Sequence, residues 1–203
     1  MNKLENIDHG IYDINKFKYE KYICKKQNNK NKKEYEIYKG ITKPINIENL
    51  SYVRIYYNNL NKIFITTPEM ICPFGFEGSN NNFSIKLQFT NLNNDEHMES
   101  FYNFIEEFES NIKKYIGLSE TNSKLFKSQI FKDSKKKYDP LLIVKVPFNN
   151  NRFNVNVYND NYNLNITNIH KFSKVKCDIY IDSIWVFNDT YICKWKLANI
   201  YIL

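Results

Sequence analysis

His9, His97 and His170 are the only imidazoles in the 203 residues, and no two stand four apart or beside a carboxylate motif. Neither a helix-borne zinc pair nor a hydrolytic triad is therefore spelled out. Cys24, Cys72, Cys177 and Cys193 lack the C-x-x-C spacing of a zinc knuckle or thioredoxin-like site and read as reduced, mostly buried thiols. A phosphate-cradling loop needs glycines at fixed intervals. Gly75 stands alone in Pro73-Phe74-Gly75-Phe76, and the sequence holds neither G-x-G-x-x-G nor G-x-x-x-x-G-K-[ST]. Glu106, Glu107 and Glu109 stand close enough on an expected helix to suggest metal or acid–base work. Their expected place is the helix face opposite the apolar stripe, where carboxylates are solvated. The expectation is a protein that is not an enzyme, with no catalytic residue, no metal and no cofactor.

Binding chemistry is better represented. The chain carries 16 Tyr, 15 Phe and 2 Trp, and its 29 Lys and Arg exceed its 22 Asp and Glu to give a formal charge of +7. Rings offer faces on which bases stack, at about 1–3 kcal/mol per base, and cations release counterions from phosphates. Tyr52, Arg54 and Tyr56 alternate, so on a strand they share one face. Lys86, Lys145, Arg152, Lys176, Lys194 and Lys196 project from expected strands, with Tyr180, Phe187 and Tyr191 near them in sequence. Together these are the candidate DNA-binding residues. Trp185 and Trp195 are expected to anchor a barrel interior or its rim instead. Two plainer accounts compete. Asn, Lys, Ile, Tyr and Phe all have AT-rich codons, and strand Tyr and Phe serve cross-strand packing more often than ligand stacking.

The elements that must position these side chains follow from periodicity. Residues 17–24 alternate, though neither face is cleanly apolar, and residues 25–33, KKQNNKNKK, read as an exposed basic loop. Ser51–Tyr57 sets Val53, Ile55 and Tyr57 against Tyr52, Arg54 and Tyr56. A turn at Asn58-Asn59-Leu60-Asn61 should return it as a hairpin with residues 62–67, ended by Pro68. Residues 83–89 point Phe83, Ile85, Leu87 and Phe89 inward. Met98, Phe101, Ile105, Phe108, Ile112 and Tyr115 step as a helical stripe that Gly117 should stop. A shorter helix is expected over residues 121–131, then a polar connector, Asp133-Ser134-Lys135-Lys136-Lys137. Strands follow over residues 140–148, 152–158 and 174–182, and a turn at Asn188-Asp189 leads into 191–202 as a long closing hairpin. The class is β-rich α+β: an OB-fold-like barrel with one long and one short helix inserted between strand groups. Residues 1–33 read as an N-terminal extension and 34–203 as one domain.

Several segments resemble a family of single-stranded-DNA-binding proteins of nucleocytoplasmic large DNA viruses, related in fold to the bacteriophage T7-type replication protein. They are Ile65-Thr66-Thr67-Pro68-Glu69-Met70, Pro73-Phe74-Gly75, Tyr138-Asp139-Pro140 leading to Val144-Lys145-Val146-Pro147-Phe148, Ile184-Trp185-Val186 and Lys194-Trp195-Lys196. Their order and spacing extend from about residue 43 to 203. The resemblance implies an OB-fold that coats displaced single strands at a viral replication site, in replication, recombination or repair, without cofactor and with little sequence preference. Single-stranded DNA is the implied partner, with replication proteins and further copies of the chain as candidate protein partners. The phage-type proteins end in an acidic tail that recruits polymerase. This sequence ends Ala198-Asn199-Ile200-Tyr201-Ile202-Leu203, which carries no acid. The rival reading is a viral structural or virion-assembly protein on a β scaffold. The N-terminus has no apolar h-region and no run reaches the roughly 18 apolar residues of a membrane span, so a soluble intracellular protein without membrane contact is expected. On that reading the sequons at Asn82, Asn165 and Asn188 are chance products of an Asn-rich sequence.

Overall fold

Alternating apolar and polar residues turn into strands wherever one face can be covered, and most of the described residues do so. The computed structural model describes residues 16–25, 34–39, 51–57, 63–118, 125–135, 137–159, 162–187 and 190–203. Of the loop expected at 25–33, Lys25 ends a strand and the rest lies outside these residues, as do the expected turns at residues 58–61 and 188–189 and the side chains of Cys24 and Phe187. The described strands begin with β1 (Phe17–Lys25), β2 (Glu34–Lys39), β3 (Ser51–Tyr57), β4 (Ile63–Thr66), β5 (Met70–Cys72), β6 (Glu77–Ser79) and β7 (Asn82–Gln88). Helix α1 (Glu96–Tyr115) follows, then β8 (Phe126–Lys127), β9 (Ile130–Phe131), β10 (Leu141–Val146), β11 (Phe148–Asn149) and β12 (Arg152–Phe153). The last are β13 (Asn156–Asn159), β14 (Tyr162–Leu164), β15 (Ser173–Ile181), β16 (Ser183–Phe187), β17 (Thr190–Cys193) and β18 (Lys196–Ile202).

Five of these close on themselves. β5 pairs with β7, β7 with β10, β10 with β18, β18 with β15 and β15 with β5, every pair antiparallel except β10–β18. A five-stranded Greek-key ring of this kind is the OB-type barrel, so the expected fold class is the observed one. Ile85, Leu87, Leu142, Val144, Val146, Val175, Cys177, Ile179 and Leu197 fill its interior, all fully buried. Pro68 cannot donate to a ladder, and the strand along β15 is broken there into β4 and β5. Thr67 bridges the break: its N–H donates to the Cys177 carbonyl at 2.8 Å, and its hydroxyl accepts the Cys177 N–H at 3.0 Å.

The second sheet runs β2-β1-β3-β16-β17-β8. The hairpin expected between β3 and β4 does not form. β3 lies between β1 and β16, whereas β4 joins β15 on the barrel sheet. Adjacency in sequence gave way to partners far along the chain, which bury Val53, Ile55 and Tyr57 beneath β3. β1 pairs with β2 and β3, and these ladders cross the expected boundary between residues 33 and 34.

α1 lies between β7 and β10 in sequence and packs on both sheets. Phe104 and Phe108 meet Trp195, with ring centroids 6.3 and 5.2 Å apart, while Phe108 also meets Phe17 of β1 at 5.2 Å. Its start is set by Asp95, whose carboxylate accepts the N–H groups of His97 and Met98. Its end is the glycine stop expected from the sequence. Gly117 sits at φ +73, its N–H donating to the Lys114 carbonyl while Leu118 N–H donates to Lys113. The described part of the expected second helix, residues 125–131, instead holds β8 and β9; residues 121–124 lie outside the description. Phe126 and Ile130 bury their side chains by edge pairing with β17 and β10, which a lone amphipathic turn would not achieve. No helix among the described residues is long and apolar enough to cross a membrane.

Candidate nucleic-acid interface

Strand alternation decides which candidate side chains reach solvent. On β3, Val53, Ile55 and Tyr57 are buried, which turns Tyr52, Arg54 and Tyr56 to the outer face as expected. Trp185 stands directly across from Tyr52, with ring centroids 5.1 Å apart, and the Arg54 guanidinium lies 6.0 Å from the Tyr52 centroid. Register carries this row on: Trp185 faces Ile192 on β17, and Ile192 faces exposed Lys127 on β8. Lys18, exposed on β1, faces Tyr56.

Trp195 is buried as expected, but Trp185 is 42% exposed. The available signal was its flanks: Ile184 and Val186 take the inner face of β16, which sends the residue between them outward. Tyr191 needs the opposite correction. It is buried in the core, because β17 turns Tyr191, Cys193 and Trp195 inward and Ile192, Lys194 and Lys196 outward. It offers no surface for a base. Phe187 ends β16.

That alternation continues from β17 into β18 and delivers Lys194 and Lys196 to the outside of the barrel. Lys196 stands opposite Lys145 across the parallel pair of β18 and β10. Burial lowers the Lys145 pKa, and the nearby positive charges of Lys194 and Lys196 lower it further. Such mutual repulsion is relieved by an anion. Asp182 supplies part of that relief, for the Lys196 ammonium donates to both of its carboxylate oxygens at 2.7 Å. Tyr180, half-buried, packs its ring 5.3 Å from Phe64, with Lys196 at 5.8 Å.

The remaining candidates have contacts of their own. Lys86 pairs with Glu77 at 2.9 Å and lies 4.8 Å from the ring centroid of Phe74, a residue not anticipated as a contact. Phe74 is 44% exposed at the tip of its turn. That turn is pinned by Gly75 at φ +72, where a Cβ would come within 2.7 Å of the Ile169 carbonyl oxygen. Arg152 is exposed on the β11–β12 hairpin, beside the clustered rings of Phe76, Phe83, Phe148 and Phe153. Lys176 is exposed opposite Tyr201, which stacks on Tyr158 at 5.2 Å.

Among the carboxylates, Glu109 departs from expectation. It stands four residues after Ile105, on the apolar side of α1, and is buried, its carboxylate accepting the Gln129 N–H at 2.8 Å. Burial raises its pKa, and its hydrogen-bond donors oppose the shift. Glu106 and Glu107 are exposed as expected. Cys72, Cys177 and Cys193 are buried free thiols, with burial pushing each pKa up and away from reactivity. Among the described residues no group of three or more His, Cys, Asp or Glu could hold a metal ion.

No family model and no curated protein sequence matches this chain. Among solved structures, a C-terminal truncation of the single-stranded DNA-binding protein from bacteriophage Enc34 aligns with a TM-score of 0.46 and 15% identity, covering 73% of this chain and 88% of that one. The same phage protein in complex with single-stranded DNA gives 0.45 and 13%, over 74% and 89% of the two chains. Gp2.5, the single-stranded DNA-binding protein encoded by bacteriophage T7, gives 0.43 and 10%, over 70% and 86%. For this chain the OB-type assignment rests on the ring of strand pairings itself.

Proposed function

We propose that this chain is a non-catalytic single-stranded DNA-binding protein of a nucleocytoplasmic large DNA virus, acting in replication, recombination or repair. The observation that carries the reading is the outward run Ile192, Lys194, Lys196. It joins the ring row of Tyr52 and Trp185 to the lysine cluster around Lys145. Rings and cations displayed together suit a strand whose bases are unpaired, since a duplex hides the faces on which rings stack. Position supports the same reading. OB-folds take oligonucleotides on their second and third strands and on the loops joining strands one to two and four to five. In this ring those strands are β7 and β10, carrying Lys86 and Lys145. The loops are the turn holding Phe74 and the β16–β17 insertion holding Trp185.

The contacts we assign are Tyr52, Arg54, Tyr56 and Trp185 for bases and sugar-phosphate, and Lys145, Lys194 and Lys196 for phosphates, with Lys86 and Phe74 on a second flank. Titrating the protein with labelled poly-dT across a salt series should show affinity that falls linearly in log–log form as salt rises. Absence of salt-dependent binding at micromolar protein would remove the proposal.

A further inference from the structure

We infer that residues 131–135 with Lys137 and Tyr138 form a second, preformed arm of the single-strand surface, its two rings taking bases and Lys135 and Lys137 taking phosphates. This rests on the single-strand reading and extends it to a segment that the sequence presented only as a polar link. Phe131 is 56% exposed and Tyr138 66% exposed, and the two rings flank the lysines between them.

The described residues of the arm are held by side-chain and backbone contacts. Lys132 anchors its root on α1, its ammonium 2.6 Å from the Glu106 carboxylate, which also accepts the Tyr102 hydroxyl at 3.0 Å. The Asp133 carboxylate then accepts the N–H groups of Lys135 and Lys137, at 3.4 and 2.9 Å, folding the backbone over itself. At the far end the Gln88 amide donates to Asp139 and Phe89 N–H donates to the Pro140 carbonyl.

Charge sets this arm apart from several other cationic positions. Lys86, Lys132, Lys174 and Lys196 are each held in an ion pair, so a phosphate must compete with a carboxylate there. Lys135 and Lys137 are exposed and in no ion pair among the described residues, and the Lys137 ammonium lies 5.3 Å from the Tyr138 centroid. A cation beside an exposed ring offers one strand both a phosphate contact and a stacking face.

The arm is also continuous with the assigned face. Phe131 faces Leu141 across β9 and β10, and Leu141, Ile143 and Lys145 share the outer side of β10. Lys145 lies four residues along the strand from Leu141, about 13 Å at roughly 3.3 Å per residue. A strand leaving Lys145 along β10 therefore reaches Phe131.

The test compares dT4 with dT16, which span the range of about 4–16 nucleotides that one OB-fold occludes. Phe131→Ala with Tyr138→Ala should weaken dT16 binding by about tenfold or more and leave dT4 binding unchanged. Lys135→Gln with Lys137→Gln should lower the salt slope for dT16 by about 1.4, at about 0.7 per single-strand phosphate. Both pairs are surface changes, and thermal melting checks that the fold is kept. If wild type binds dT16 and both variants match it in affinity and slope, the arm is refuted while the parent reading stands. If wild type binds neither oligonucleotide, both fall. Loss of self-association in sedimentation with dT16 affinity unchanged would overturn the arm in favour of a contact between copies.

Discussion

At the scale of single residues, Tyr52 and Trp185 face each other at 5.1 Å on the outside of the second sheet, so their replacement opens no cavity. Tyr52→Ala with Trp185→Ala is expected to weaken binding to poly-dT by about 1–3 kcal/mol per ring, with little change in melting temperature. Trp185 also serves as its own reporter. Bound bases should quench its emission, whereas Trp195, buried against Phe108, stays dark to the titration. Asp182 is a competitor within the molecule, because its two oxygens hold the Lys196 ammonium that a phosphate would use. Asp182→Asn should tighten poly-dT binding and steepen its salt dependence by about 0.7 in slope, measured by the same titration.

At the scale of elements, α1 is joined to the link between β8 and β9 by one buried carboxylate. Glu109 takes the Gln129 N–H, and burial raises its pKa above that of the unfolded chain. A carboxyl raised in this way favours the fold below its unfolded pKa and loses that contribution as pH rises through the folded value. Glu109→Gln keeps an acceptor for the N–H without the charge. Its melting temperature should therefore exceed that of wild type at neutral pH, and the gap should close as pH falls below the ordinary carboxyl range. Melts at neutral pH and at a pH below the ordinary carboxyl range check the sign. In α1 the apolar stripe and the glycine stop were legible, being local properties, and each is found in place, whereas the burial of Glu109 was not. The β3–β4 hairpin was not, since alternation states which face a strand buries and leaves its partner open.

At the scale of the whole molecule, barrel, α1 and second sheet share one core. Trp195 holds them together, packed on Phe104 and Phe108, which in turn touches Phe17 of β1. Trp195→Ala should cost about 3–5 kcal/mol. Both sheets should lose stability together, so that far-ultraviolet dichroism and Trp185 emission report a single coincident transition in urea. Separate transitions would mean that the two sheets unfold independently.

What the sequence determined by itself was local: most strand positions, the long helix and its glycine stop, the outward face of Tyr52, Arg54 and Tyr56, and the excess of cations. These follow from periodicities of two and 3.6 residues and from charge, which need no knowledge of distant partners. Tertiary structure decided which of those faces adjoin. It drew β16 alongside β3, set Trp185 against Tyr52 and Lys196 against Lys145, and buried Tyr191 and Glu109. Pairings of that kind join residues more than a hundred positions apart in the case of Tyr52 and Trp185, and only the closing of sheets around a common core can choose among them.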